Sequence, residues 1–323
     1  MSQFNSILLC VGKSSGEAQM LEQAIQLAKK HQAAVKLFHV ISDYPEDISE
    51  WWNVRDPGKL KKQIMEERQV VLDEMATRAQ EHGLEQVATE LRWGRTFLET
   101  TREVMKNKHD LVMITAQHKH KMSRMLLECP SMDLLQHCPC TLWISKGKTH
   151  RRAKRVLVTL GGTRNDVTCD ALDTKVLRTA AAIAEANGSE LHYLHAMPLY
   201  GGKGQKGKKL RTDLAAYIDS LKNSFMQKCG DVLKEYQVEL NDDWIHMVAG
   251  SPATAIVDVV NDKHIDLVIM GARPHENLPT VLLGTRAMRV FDYVKCDVVG
   301  VKPDGFVSLL EREGEGTVNG QGQ

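Results

Sequence analysis

The chain has 323 residues, 42% hydrophobic and 26% charged, with a formal net charge of +1. That length suggests two domains, and the near-zero charge excludes a chain that holds nucleic acid or an anionic membrane by its overall field. Seven cysteines, an odd number in a long chain, exclude a disulfide framework, and no apolar run approaches the ~20 residues of a membrane helix.

Residues 7–11 read as a short buried strand, too short for a signal peptide, which leads to the expectation of a cytoplasmic protein. A helix follows over 15–31, where Met20, Leu21, Ala24, Ile25, Leu27 and Ala28 fall on one stripe. A second strand is expected over 35–41. Helical spacing then runs over 63–81, with Met65, Val70, Val71 and Met75 as its apolar positions. A third strand ends near 91–93, a helix starts at Phe97, and 111–115 is a fourth strand. A helix over 121–137 leads into a closing strand at 141–145. The series then starts again, with strands expected at 156–160, 190–196, 244–248, 267–270 and 298–301.

The second series is a copy of the first. His39 and His195, Gly94 and Gly250, Asp110 and Asp266, Leu111 and Leu267, and Cys140 and Cys296 all recur at one offset of 156 residues. The first strands are offset by 149, and a seven-residue insertion within 163–174 accounts for the difference. Several landmarks held in register make a tandem repeat. Strands separated by helices predict an α/β fold of two tandem doubly wound domains, each with a five-stranded parallel sheet. The expected boundaries are 1–147 and 153–305, with a disordered tail over 306–323. Residues 146–154 read as a solvated basic linker, and 201–209 as a glycine-lysine loop. In such a sheet a ligand sits beyond the carboxyl ends of the strands, where the strand order reverses.

The second copy has residues suited to that place. Gly271 ends its fourth strand, where the absence of a side chain lets a backbone approach a phosphate. Gly284 and Thr285 stand where the next helix should open, with free N–H groups and a hydroxyl for an anion. These residues resemble the universal stress protein family, whose ATP-binding domains carry glycine, two residues, glycine, nine residues, glycine, then serine or threonine. Here Gly271, Pro274, Gly284 and Thr285 occupy those positions, so one glycine is replaced by a residue with no N–H. The resemblance runs from Ser6 to Asp304, and the chain is similar to the long two-domain E type of that family.

In the first copy the matching positions are Thr115, His118, Glu128 and Cys129, and the Glu128 carboxylate would repel an anion. The aspartate that the family places after the first strand is Gly12 in one copy and Gly161 in the other. The position that touches adenine is Val40 or Ala196. The resemblance therefore implies a binding set of Gly161, Ala196, Gly271, Arg273, Gly284 and Thr285 for a nucleotide such as ATP, in the second copy alone. A pocket reshaped for another small molecule would present Arg273 and His275 instead.

By resemblance the chain is a non-catalytic stress-response protein that supports resistance to DNA damage, starvation or oxidation, with the first copy as a structural element or a surface for protein partners. A slow ATPase at the second-copy site is the alternative, and a ligand-free scaffold the third reading. The two copies are expected to pair through their last strands, 141–145 and 298–301, as an intramolecular pseudo-dimer. Gly12-Lys13-Ser14 lacks the upstream glycine of a phosphate loop, since Ile7 stands there. Gly161 to Asp166 lacks the leading serine of a pyrophosphatase loop. His118, His120, Cys129, Cys138 and Cys140 could be counted toward zinc. However, Cys138-Pro139-Cys140 stands at a strand start where this family has Cys-Pro, and it reads as structural thiols. His39 and His195 end core strands and read as satisfied structural histidines.

Overall fold

In the computed structural model the chain divides into two units, Ser2–Arg151 and Arg152–Phe306. The structure describes residues 3–12, 16–42, 57–116, 130–147, 153–160, 171–197, 229–238, 241–272, 285–308 and 310, with isolated positions between 216 and 227.

The first unit runs β1 (Ser6–Cys10), α1 (Glu17–His31), β2 (Ala34–Ile41), α2 (Pro57–Glu81), β3 (Val87–Trp93), α3 (Thr96–Asn107), β4 (Leu111–Thr115), α4 (Pro130–His137) and β5 (Thr141–Ser145). All pairings are parallel, in the order β3-β2-β1-β4-β5. The second unit runs β6 (Arg155–Thr159), α5 (Ala171–Asn187), β7 (Glu190–Met197), a 3-10 turn (Asp242–Trp244), β8 (Ile245–Ala249), α6 (Pro252–Asp262), β9 (Leu267–Gly271), α7 (Thr285–Tyr293) and β10 (Asp297–Val301). Its order is β8-β7-β6-β9-β10, again all parallel. Each unit is thus a doubly wound sheet, as the alternating pattern predicts. Helices cover such a sheet on both faces, so its inner strands are apolar throughout. Every residue of the inner strand β4 is buried accordingly, and so is every residue of β5 and β10, which end the two strand orders.

The repeat landmarks have matching structural jobs. The Asp110 carboxylate accepts from the backbone N–H groups of Asn5 at 2.7 Å and Ser6 at 3.2 Å. Asp266 accepts from those of Lys154 at 2.9 Å and Arg155 at 3.0 Å. Each aspartate ties down the chain as it enters the first strand of its own sheet. Gly94 and Gly250 have φ of 140° and 146°, a region that a Cβ disfavours, so glycine is required at both turns into a helix.

Four expectations are corrected. The helix α1 buries the stripe read from the sequence, but α2 does not. Met65 and Val70 are exposed, and Leu72, Ala76 and Ala79 are buried in their place. β8 begins at Ile245 rather than Trp244, because the Asn241 side chain accepts from the Asp243 N–H and holds 242–244 in a 3-10 turn. The segment 146–154 is not wholly solvated: Lys146 and Ala153 are buried. Ser308, placed by sequence in the tail, is buried as well, and Lys302 Nζ stands 4.4 Å from the Phe306 ring centre. The loop 201–209 and residues 311–323 lie outside the described residues.

Candidate functional site

In the first unit the strand order reverses between β1 and β4, and in the second between β6 and β9. The carboxyl ends of these strands are Cys10 and Thr115 in one unit, Thr159 and Gly271 in the other. His39 braces the first of these places, its Nδ1 bonded to the Val11 carbonyl just past β1. His195 makes the same kind of bond with the Leu160 backbone just past β6, while burial lowers its pKa. Both histidines are therefore satisfied within the fold, as read from the sequence.

Packing at the two reversal points is complementary. A Cβ on Gly16 would lie 3.1 Å from the Gly147 Cα and 3.3 Å from Thr115 Cγ2. In the second unit the residues at the 156-residue offset are Leu172 and Gly271. There a Cβ on Gly271 would lie 2.9 Å from Leu172 Cδ2. The small residue stands on the helix side in one unit and on the strand in the other. Gly271 is thus required for close contact with α5, a role its sequence position alone does not reveal. Gly271→Ala is expected to cost about 1–3 kcal/mol by overpacking, and Leu172→Ala to relieve about 1 kcal/mol of it in the double variant. Urea melts of the two single changes and the double measure this coupling. Strict additivity would remove the packing role.

The other members of the candidate set are distributed as follows. Ala196 is half-buried near the end of β7, opposite Val248. It and Gly271 flank β6 from either side, at the same end of the sheet. Thr285 is the first residue of α7. Gly161, Arg273, Pro274 and Gly284 lie outside the described residues, as do His118, Glu128 and Cys129 of the first unit. At the first unit's reversal point Thr115 and Ala116 are buried. Among the described residues no group of three or more His, Cys, Asp or Glu side chains is placed to hold a metal.

Two polar clusters, unforeseen from the sequence, lie away from these strand ends. In the first unit the fully buried Glu103 of α3 is met by Lys36 Nζ at 2.6 Å, by Asn107 Nδ2 at 2.6 Å and by Arg92. Glu90 bridges Lys36 and Arg92 from β3. His109 Nε2 stands 3.5 Å from Glu103, and its Nδ1 is 2.7 Å from Ser6 Oγ. Burial alone would raise the Glu103 carboxyl, but the hydrogen bonds from Lys36 and Asn107, with the charges of Lys36 and Arg92, hold it down at about 2.

At the 156-residue offset, Lys36 becomes His192 and Glu90 becomes His246. His192 Nδ1 lies 3.1 Å from His246 Nε2, with the ring planes 7° apart. The 5.4 Å between centroids is the N–N distance plus two ring radii, so the rings lie end to end and the N–H···N bond is in plane. Glu190 stands 3.7 Å from His192 Nε2, which favours a proton there and leaves Nδ1 to accept from His246. Burial, the neighbouring His192 and Lys263 lower His246 to about 4. Burial lowers His192 too, against the opposing pull of Glu190.

The model of the universal stress protein family matches residues 3–146 and 167–302, in step with the two units. The chain belongs to the universal stress protein family. It is similar to Universal stress protein E of Photorhabdus laumondii, 21% identical over 313 residues that make up 95% of this chain and 97% of that one. Universal stress protein E of Escherichia coli K12 is 20% identical over 317 residues, covering 98% and 99%. Among solved structures, a universal stress protein from Pseudomonas aeruginosa UCBPP-PA14 superposes with a TM-score of 0.71 at 19% identity, over 94% of this chain and 95% of that one. One from Archaeoglobus fulgidus gives 0.64 at 18%, over 92% and 96%. The family expected from Gly271, Gly284 and Thr285 is the family found, and its name places the chain among stress-response proteins. No helix among the described residues of this universal stress protein is long and apolar enough to cross a membrane.

Proposed function

We propose that the chain is a binding protein of the stress response, which takes a nucleotide such as ATP in its second unit and carries out no chemistry on it. The observation that carries this reading is the difference between the two reversal points. The second unit has Gly271 at the end of β9 and a helix that opens at Thr285. The first unit has buried Thr115 at the matching strand end. Backbone N–H groups at a helix start attract phosphate, and the sequence around α7 supplies glycine, hydroxyl and, at Arg273, a cation. The first unit, without those groups, is assigned to protein partners.

Pro274 supplies the test, because it replaces a family glycine with a residue that cannot donate. One charge-assisted hydrogen bond is worth roughly 1.5–3 kcal/mol, and ordering a glycine returns about 1 kcal/mol of it. Pro274→Gly is therefore expected to tighten ATP binding about tenfold in equilibrium titrations. The double change Gly161→Asp with Pro274→Gly should tighten it further by restoring the carboxylate of the family. No binding by even the double variant would remove the nucleotide reading in favour of another ligand at Arg273 and His275. Steady phosphate release from bound ATP would favour the slow ATPase instead.

A further inference from the structure

We propose that Cys138 and Cys140 form a peroxide-responsive dithiol in the first unit, a modification site that closes as an intrachain disulfide. The two Sγ atoms are 3.6 Å apart, in contact and not joined in a disulfide, and Cys140 Sγ also donates to the Thr141 carbonyl at 3.5 Å. Only Pro139 separates them, and the chain bends at Pro139 and Cys140 between α4 and β5. A disulfide is about 2.05 Å long, so the sulfurs need to approach by about 1.6 Å, which a change of side-chain torsion within the bend can supply. Neither residue belongs to a helix or strand, so closure breaks no ladder.

The two thiols differ in access. Cys138 is fully buried, at the end of α4, with its N–H donating to the Leu134 carbonyl at 2.9 Å. Cys140 is half-buried and is the sulfur that an oxidant can reach. Cys10, close to Cys138, is not a competitor. Burial, only partly offset by the Thr100 hydroxyl and reinforced by Cys138, pushes its thiol up to about 12 and keeps it protonated.

The chemistry balances with a hydroperoxide as the two-electron oxidant. Cys140, as the thiolate, attacks the outer peroxide oxygen, the O–O bond breaks, and the remainder leaves as an alcohol or water. The Cys140 sulfenic acid is then attacked by the Cys138 sulfur. The S–S bond forms, the S–O bond breaks, and the hydroxyl leaves as water with the Cys138 proton. Two thiols and one hydroperoxide thus yield one disulfide, one water and one alcohol or second water. The proposal stands apart from the ligand reading, since the nucleotide is placed in the other unit.

The test uses the full chain and hydrogen peroxide. Titratable thiols in denaturant should fall from seven to five. The peptide carrying Cys138 and Cys140 should lose two hydrogens in mass and regain them with dithiothreitol. Cys140→Ser, at the half-buried position, should slow thiol loss at least tenfold, with helix content by circular dichroism unchanged. In Cys138→Ala, Cys140 should instead advance to the sulfinic acid. Wild-type protein that keeps seven thiols, or that gains oxygen at Cys140 while Cys138 stays a thiol, overturns the proposal. A bridge between Cys10 and Cys138 overturns it equally.

Discussion

Glu103→Ala should destabilise the first unit by about 3–5 kcal/mol. The carboxylate is fully buried and neutralises Lys36 and Arg92 together. Without it, Lys36 keeps only Glu90, and Arg92 keeps Glu90 and the more distant Glu99, all of them part-exposed, while the buried carboxylate that joins the two cations is gone. The effect depends on pH with a definite sign. The folded carboxyl is held at about 2 against an ordinary 4.5, so its contribution is fully present above pH 4.5 and is lost as pH falls toward 2. That depression corresponds to about 3 kcal/mol. Thermal melts of wild type and Glu103→Ala should differ most at neutral pH and converge in acid. A loss below about 1 kcal/mol at pH 7 would show the network to be dispensable, in the manner of exposed ion pairs.

Mild acid should loosen the second unit first. Its His192–His246 pair occupies the cross-strand position that permanent ions hold in the first unit, and both imidazoles are lowered. A basic group with a lowered folded pKa favours the neutral form. Its contribution is therefore full above pH 6.5 and is lost as pH falls through the folded value, about 4 for His246. That difference is worth about 3 kcal/mol. The groups around the pair act in opposite directions. Glu190 favours the proton on His192, whereas Arg155 and Lys263 oppose it, and Asp262 partly relieves His246. In the first unit His109 is lowered as well, but Glu103 counteracts the shift. Hydrogen exchange should show peptides from β7 and β8 losing protection between pH 6.5 and 4, ahead of those from β2 and β3. His246→Gln retains an amide donor for His192 and removes the titration, so it should flatten this response. Equal loss of protection in both units over that interval would show that the His192–His246 pair does not control the response.

Much of the fold was legible because its strands are short apolar runs at a fixed spacing, and the offset between Asp110 and Asp266 tied the copies together. What those aspartates do was not legible, since accepting from the backbone at residues 5–6 and 154–155 is a contact across more than a hundred residues. The buried face of α2 was misread for a physical reason. Large apolar side chains such as Val70 were counted, whereas close approach to the sheet is made through Leu72, Ala76 and Ala79. The Lys36–Glu103 network was missed because charged residues in sequence read as surface, and their burial depends on partners 54 to 67 residues away. At the candidate site, Gly271 was read as room for a phosphate, and contact with Leu172 shows that packing also requires it.

We propose that two copies of one fold have divided their roles, with ligand binding kept in the second. Calorimetric titration of the full chain with ATP tests it most directly. One ATP per chain is expected, abolished by Gly284→Val, which puts a side chain at the family's phosphate-binding glycine, and unchanged by Glu128→Gly in the first unit. Two equivalents per chain, or equal loss from both substitutions, would contradict it.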